Sequence, residues 1–136
     1  MAHRVFKDPF FSINSVDLSD HVQEVRLDYS ADAPEDTAGG DNTRSRLAGG
    51  LKDWSITVTF FQDYAAGEVD ATLFGILATS VPIEIRPSIA VVGTTNPKYT
   101  GNAILTSYQP AGGAIGDAQK APVTLQGSGD LTRATA

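Results

Sequence analysis

Apolar and polar side chains alternate along two stretches of the chain. From Val22 to Tyr29, Val25, Leu27 and Tyr29 alternate with Glu24, Arg26 and Asp28. A period of two places one set on each face of a strand, so this stretch predicts a strand with a buried and a wet side. Trp54, Ile56, Val58 and Phe60 alternate with Ser55, Thr57 and Thr59 in the same way and predict a second, stronger strand. Shorter strands are expected at 83–86, 99–108 and 123–126, with another at 10–13 behind Pro9. Pro82, Pro87, Pro110 and Pro122 read as strand edges, because proline cannot donate to a central ladder. Residues 68–79 change period. Val69, Leu73, Ile76 and Leu77 fall at i, i+4, i+7 and i+8, which predicts one short helix with Glu68 and Asp70 in its first turn. Gly75 inside it costs about 1 kcal/mol relative to alanine, so packing has to hold this helix.

Between the two best strands lies a polar segment, 30–53, with no evident secondary structure and Leu47 and Leu51 as its main apolar residues. Loops beyond roughly 12–15 residues are uncommon in compact domains and are usually functional or disordered. Its charges are sorted: Asp32, Glu35, Asp36 and Asp41 come first, Arg44, Arg46 and Lys52 after them. One reading is a solvated excursion kept soluble by its charges; the other is an arm that complements a neighbouring molecule.

Composition narrows the class. A chain of 136 residues is expected to form one domain over 1–136 with one core. It has no cysteine, so neither disulfides nor thiolate chemistry enter. The net charge of -6 opposes grip on a phosphate backbone. The first residues lack a signal-peptide apolar run and no stretch approaches membrane-spanning length, so the chain is expected to stay soluble, with no membrane partner. Thirteen glycines and seven prolines, together with abundant Thr, Ser and Val, favour a mainly β fold of short strands and turns.

Candidate chemistry is sparse. His3 and His21 stand far apart without metal-ligand spacing and read as surface or strand-end histidines. Gly127-Ser128-Gly129-Asp130 lacks the spacing of a nucleophile elbow and reads as a turn. The stretch from Gly112 to Asp117 has no following Lys-Ser or Lys-Thr and reads as a hairpin loop. Glu35 and Asp36 lie in the long polar segment, where neither carboxylate is desolvated for acid-base work. Trp54, Phe60 and Tyr29 sit on apolar strand faces and read as core, not as base-stacking platforms. No catalytic residue, metal or cofactor is expected, and the chain does not read as an enzyme.

Several phrases resemble the major tail tube protein of long-tailed, siphovirus-type bacteriophages. They are residues 16–22 (VDLSDHV), 46–56 (RLAGGLKDWSI), 61–64 (FQDY), 96–101 (NPKYTG), Tyr108 and 123–125 (VTL). The resemblance covers most of the chain and implies a β-sandwich or barrel of the tail tube type, with a flanking helix and a long loop. It further implies hexameric rings stacked head to tail around a shared inner barrel, a virion structure assembled in the bacterial cytoplasm. Implied partners are the chain itself, a tape measure protein, and the tail terminator and distal tail proteins. Double-stranded DNA passes through without specific binding. An acidic chain suits such a conduit, since like charge keeps a passing duplex from sticking. On this reading Asp32, Glu35, Asp36, Asp41, Arg44, Arg46 and Lys52 form the inter-ring or inter-subunit contact. Glu24, Arg26, Asp28, Ser55, Thr57 and Thr59 are the candidates for the channel wall, although the same face equally suits solvent. Contractile-tail and secretion-system tubes share the architecture. The other classes carried are a tail adaptor or terminator ring and a small β-barrel that binds a ligand or nucleic acid; assembly state separates the three.

Overall fold

The computed structural model describes residues 3–136. Seven strands form one antiparallel sheet: β1 (Phe10–Ile13), β2 (Val16–Asp17), β3 (Val22–Ala31), β4 (Lys52–Phe61), β5 (Ser80–Arg86), β6 (Lys98–Tyr108) and β7 (Lys120–Ala134). Their order across the sheet is β2-β1-β5-β6-β7-β4-β3. A helix, α1 (Val69–Leu73), and a 3-10 turn (Phe74–Ile76) connect β4 to β5.

The sheet is rolled. Three strands separate β1 from β4 in the sheet order, and in a flat sheet four strand spacings would set them roughly 19 Å apart. Yet the rings of Phe11 on β1 and Phe60 on β4 meet edge to face with centroids 5.6 Å apart. One face of the sheet is thereby packed against itself. Ile56, Val58 and Phe60 from β4, Val123 and Leu125 from β7, Leu105 from β6 and Ile13 from β1 fill the interior at or near zero exposure. The register explains why: Leu27, Ile56, Leu125 and Leu105 line up across four strands, as do Val25, Val58 and Val123. Alternation along each strand becomes rows of apolar side chains across the sheet. The helix closes one opening of the roll with Val69 and Leu73, both fully buried.

The helical segment is shorter than its apolar spacing predicts. Regular α-helix ends at Leu73, and the left-handed Ala78 (φ 66) turns the chain into β5. Leu77, part of the expected stripe, is 52% exposed. Glu68 and Asp70 do not cap the helix by side-chain bonds but are engaged elsewhere: Glu68 meets His21, and Asp70 accepts from the Tyr108 hydroxyl at 2.8 Å. Burial above all, offset by the Gln62 hydrogen bond and reinforced by Asp70, pushes the Tyr108 phenol up to about 12. Pro82 and Pro122 are each the third residue of a strand, not its edge.

The Gly127–Asp130 stretch is no turn; it lies within β7. Between Thr100 and Asn102 on β6, β7 advances from Thr132 to Ser128, a bulge in which Gly129 takes φ +92. Across it lies Trp54. Its indole Nε1–H donates to the Gly129 carbonyl at 3.0 Å, and its ring covers Gly127 so closely that a Cβ there would fall 2.3 Å from ring carbons. The glycines are thus the floor on which the tryptophan lies.

Candidate functional site

All strands run between two ends of the roll, and the connections sort accordingly. At one end stand the excursion between β3 and β4, the 87–97 loop and the end of β7. At the other stand the start of β3, the helical segment and the β6–β7 loop. Trp54 anchors the first end two residues after β4 begins, so the ring fixes the base of the excursion.

The excursion is an arm with its own hydrogen bonds. β3 runs to Ala31 and β4 starts at Lys52, so the strands are longer than their alternating cores. Beyond them the Asp32 amide donates to Leu51, the Leu47 amide to Pro34 and the Asp36 amide to Ser45, with a bridge between Glu35 and Arg46. The polar composition of the segment hid this ladder, since nothing in it alternates. The sorted charges face one another across it: Arg44 Nη1 lies 3.3 Å from Glu35 Oε1. Asp41 accepts from the Ala38 amide at the tip. Among the described residues Arg46 and Lys52 have no ion-pair partner. Leu47 and Leu51 beside them are 52% and 83% exposed.

The six strand candidates share one face. Glu24 pairs directly with Thr59, Arg26 with Thr57 and Asp28 with Ser55. The same rows continue onto β7 through Pro122, Thr124 and Gln126, giving a three-strand surface of hydroxyl, amide and charged groups. Arg26 Nε meets Asp28 Oδ2 at 3.1 Å on its own strand, so Glu24 is the one charge among the six with no ion-pair partner among the described residues. Among the described residues β3 has β4 as its sole partner, leaving its outer edge open for hydrogen bonding over ten residues. Tyr29 faces the same way as Trp54 but lies beyond the roll and is 54% exposed, so it is not the core residue its alternation predicts.

His21 was missed because its partners are distant in sequence. Its ring is largely covered, and Nε2 lies 2.5 Å from Glu68 Oε2, with Asp20 at 3.6 Å and Asp63 at 3.7 Å. Asp20, His21 and Glu68 are the one grouping of metal-ligand type among the described residues. The contact fastens the start of β3 to the residue that precedes α1. His3 is exposed. The β6–β7 loop, with Gly113 and Gly116 at positive φ, is a hairpin connection; it overhangs an open hollow of about 590 Å³ lined by Gln23, Thr59, Asp117 and Lys120 among others. Asn96 is buried and staples the 87–97 loop, accepting from the Ser88 amide at 3.1 Å and donating to the carbonyls of Ser88 and Ala90. No helix among the described residues is long and apolar enough to cross a membrane.

No family model matches the sequence, and no curated protein matches it. Solved structures do. A chain in the virion of a native gene transfer agent particle is 15% identical, with 96% of this chain and 98% of that one covered at a TM-score of 0.71. The SPP1 tail tube, solved by solid-state NMR and cryo EM, is 15% identical over 95% of this chain and 77% of that one, with a TM-score of 0.69. The tail of an empty gene transfer agent particle, refined with C6 symmetry, gives 18% identity, coverages of 85% and 83%, and a TM-score of 0.67. The chain therefore has the tail tube fold: a mainly β, rolled seven-stranded antiparallel sheet with one short helix.

Proposed function

We propose that this chain is a structural tail tube protein, a single domain that assembles into six-membered rings stacked head to tail in a virion tail. The observation that carries the reading is the fold likeness along nearly the whole chain to the SPP1 tail tube, with a further neighbour built on C6 symmetry. Two features of the surface support it. The outer side of β3, a strand of ten residues, is open for adjacent subunits to join sheets into an inner barrel. The arm projects from one end of the roll, where head-to-tail contacts propagate a filament.

In this account Glu24, Arg26, Asp28, Ser55, Thr57 and Thr59 face the lumen. Pairing of Arg26 with Asp28 leaves one net carboxylate per subunit from this set, and six around a six-fold ring. With Arg26 held by Asp28 and hydroxyl groups between the charges, the face offers a passing duplex no unpaired cation, so DNA slides without sticking. Asp32, Glu35, Asp36, Asp41, Arg44, Arg46 and Lys52 belong to the arm that contacts neighbouring subunits. The work of the protein is assembly, with no catalysis; a tape measure protein inside the tube and terminator and distal tail proteins at its ends complete the partners, and assembly takes place in the host cytoplasm. Negative-stain electron microscopy of the concentrated protein tests this. Hollow tubes are expected; single rings would point to an adaptor, and a monomer at every concentration would overturn the proposal.

A further inference from the structure

Each end of the roll leaves apolar side chains exposed beside charged ones, and the helix end and the second limb of the arm carry opposite signs. At the helix end Asp20, Asp63, Glu68, Asp70 and Asp117 stand against Lys120 and the imidazole of His21. The helical turn there leaves Phe74 69% and Leu77 52% exposed, although Val69 and Leu73 on its other side are fully buried. The second limb of the arm, at the opposite end, carries the converse pattern. Its cations Arg46 and Lys52 lack ion-pair partners among the described residues, and the exposed Leu47 and Leu51 lie beside them. Exposed apolar groups next to unpaired cations at one end thus answer exposed apolar groups next to carboxylates at the other.

Resting on the tube reading, we propose that the 46–52 limb of one subunit docks on the helix end of a subunit in the next ring. Leu47 and Leu51 cover Phe74 and Leu77, while Arg46 and Lys52 meet the Asp63 and Glu68 side. The occupant is a second copy of this chain. Charge also disfavours the reverse orientation: two helix ends brought together set carboxylates against carboxylates and repel, whereas head-to-tail stacking sets them against the cationic second limb of the arm.

The absence of native cysteine makes a direct test clean. The two positions cannot bridge within one chain, because the ten residues of β4 alone set the ends roughly 33 Å apart. Tubes of the Leu47→Cys/Phe74→Cys double variant are treated with a short bismaleimide and run on a denaturing gel. A ladder extending beyond six subunits is expected, since inter-ring links do not close. A ladder that stops at six places the contact within a ring, and intact tubes without a ladder place the arm elsewhere; either overturns the docking while leaving the tube reading in place. As a second measurement, Arg46→Glu should raise the concentration needed for tube growth about tenfold or more, and Glu68→Lys in the same chain should recover part of that loss. Tube growth by Arg46→Glu at the wild-type concentration overturns the proposal. If the unaltered protein forms no tubes, the functional reading itself fails, and the docking with it.

Discussion

Replacing Gly127 with alanine places a methyl group in the floor beneath Trp54. The added Cβ falls 2.3 Å from Cδ2 and Cε2 and 2.5 Å from Nε1, so the indole has to lift by about an ångström. Overpacking of this kind costs about 1–3 kcal/mol. The lifted ring also loses its 3.0 Å bond to the Gly129 carbonyl, about 1 kcal/mol more. Unfolding entropy of roughly 2.1 cal/mol/K per residue converts each kcal/mol into about 3.5 °C for a chain of this length. Gly127→Ala should therefore melt about 7–14 °C below the wild type by circular dichroism. Trp54 is the one tryptophan, so its emission should shift to the red as the ring leaves its bed. Gly75→Ala, where a Cβ meets nothing within 4 Å, serves as the control and should melt at or above the wild type. A Gly127→Ala melting point within about 2 °C of wild type, with unchanged emission, would refute the packing described for the base of the arm.

Other outcomes follow from the same structure. The folded pKa of Tyr108 is raised above its unfolded value, so the associated stability is present below pH 10 and is lost as pH rises toward about 12; Tyr108→Phe should remove that alkaline loss in a pH series of denaturant melts. Asn96→Ala leaves the Ser88 amide without its buried acceptor and should cost about 1–3 kcal/mol in chemical denaturation. Deleting 34–46 should leave the rolled sheet folded but abolish tube growth; normal tubes from the deletion would show that the arm is dispensable. Asp28→Lys frees Arg26 and adds a cation to the β3–β4 face, so tails built from it should assemble yet release DNA more slowly, and unchanged infectivity would count against a lumen position.

The strands were legible because alternation survives wherever one face is buried. Trp54, Ile56, Val58 and Phe60 point inward as their spacing requires, and Ser55, Thr57 and Thr59 share the opposite face with Glu24, Arg26 and Asp28. What the pattern does not carry is where the burial stops. Tyr29 continues the alternation of β3 past the rim of the roll, and Leu77 continues the helical stripe past Ala78, so both are exposed. The arm was legible as a long polar segment with sorted charges, but not as a structured one, because backbone bonds such as Leu47 to Pro34 leave no trace in side-chain periodicity. The His21 contact joins residues 47 positions apart and depends on the rolled topology. Glycines 127 and 129 read as a turn from local chemistry; only the position of Trp54 shows that they serve close packing inside β7.

Helical reconstruction by cryo electron microscopy of the assembled protein tests the central claim most directly. The account predicts hollow tubes of six-subunit rings, with adjacent subunits joined along the free edge of β3 and with Glu24, Asp28 and Thr57 on the inner wall. Rings in which that face points outward, or particles that never pass beyond the monomer, would contradict it.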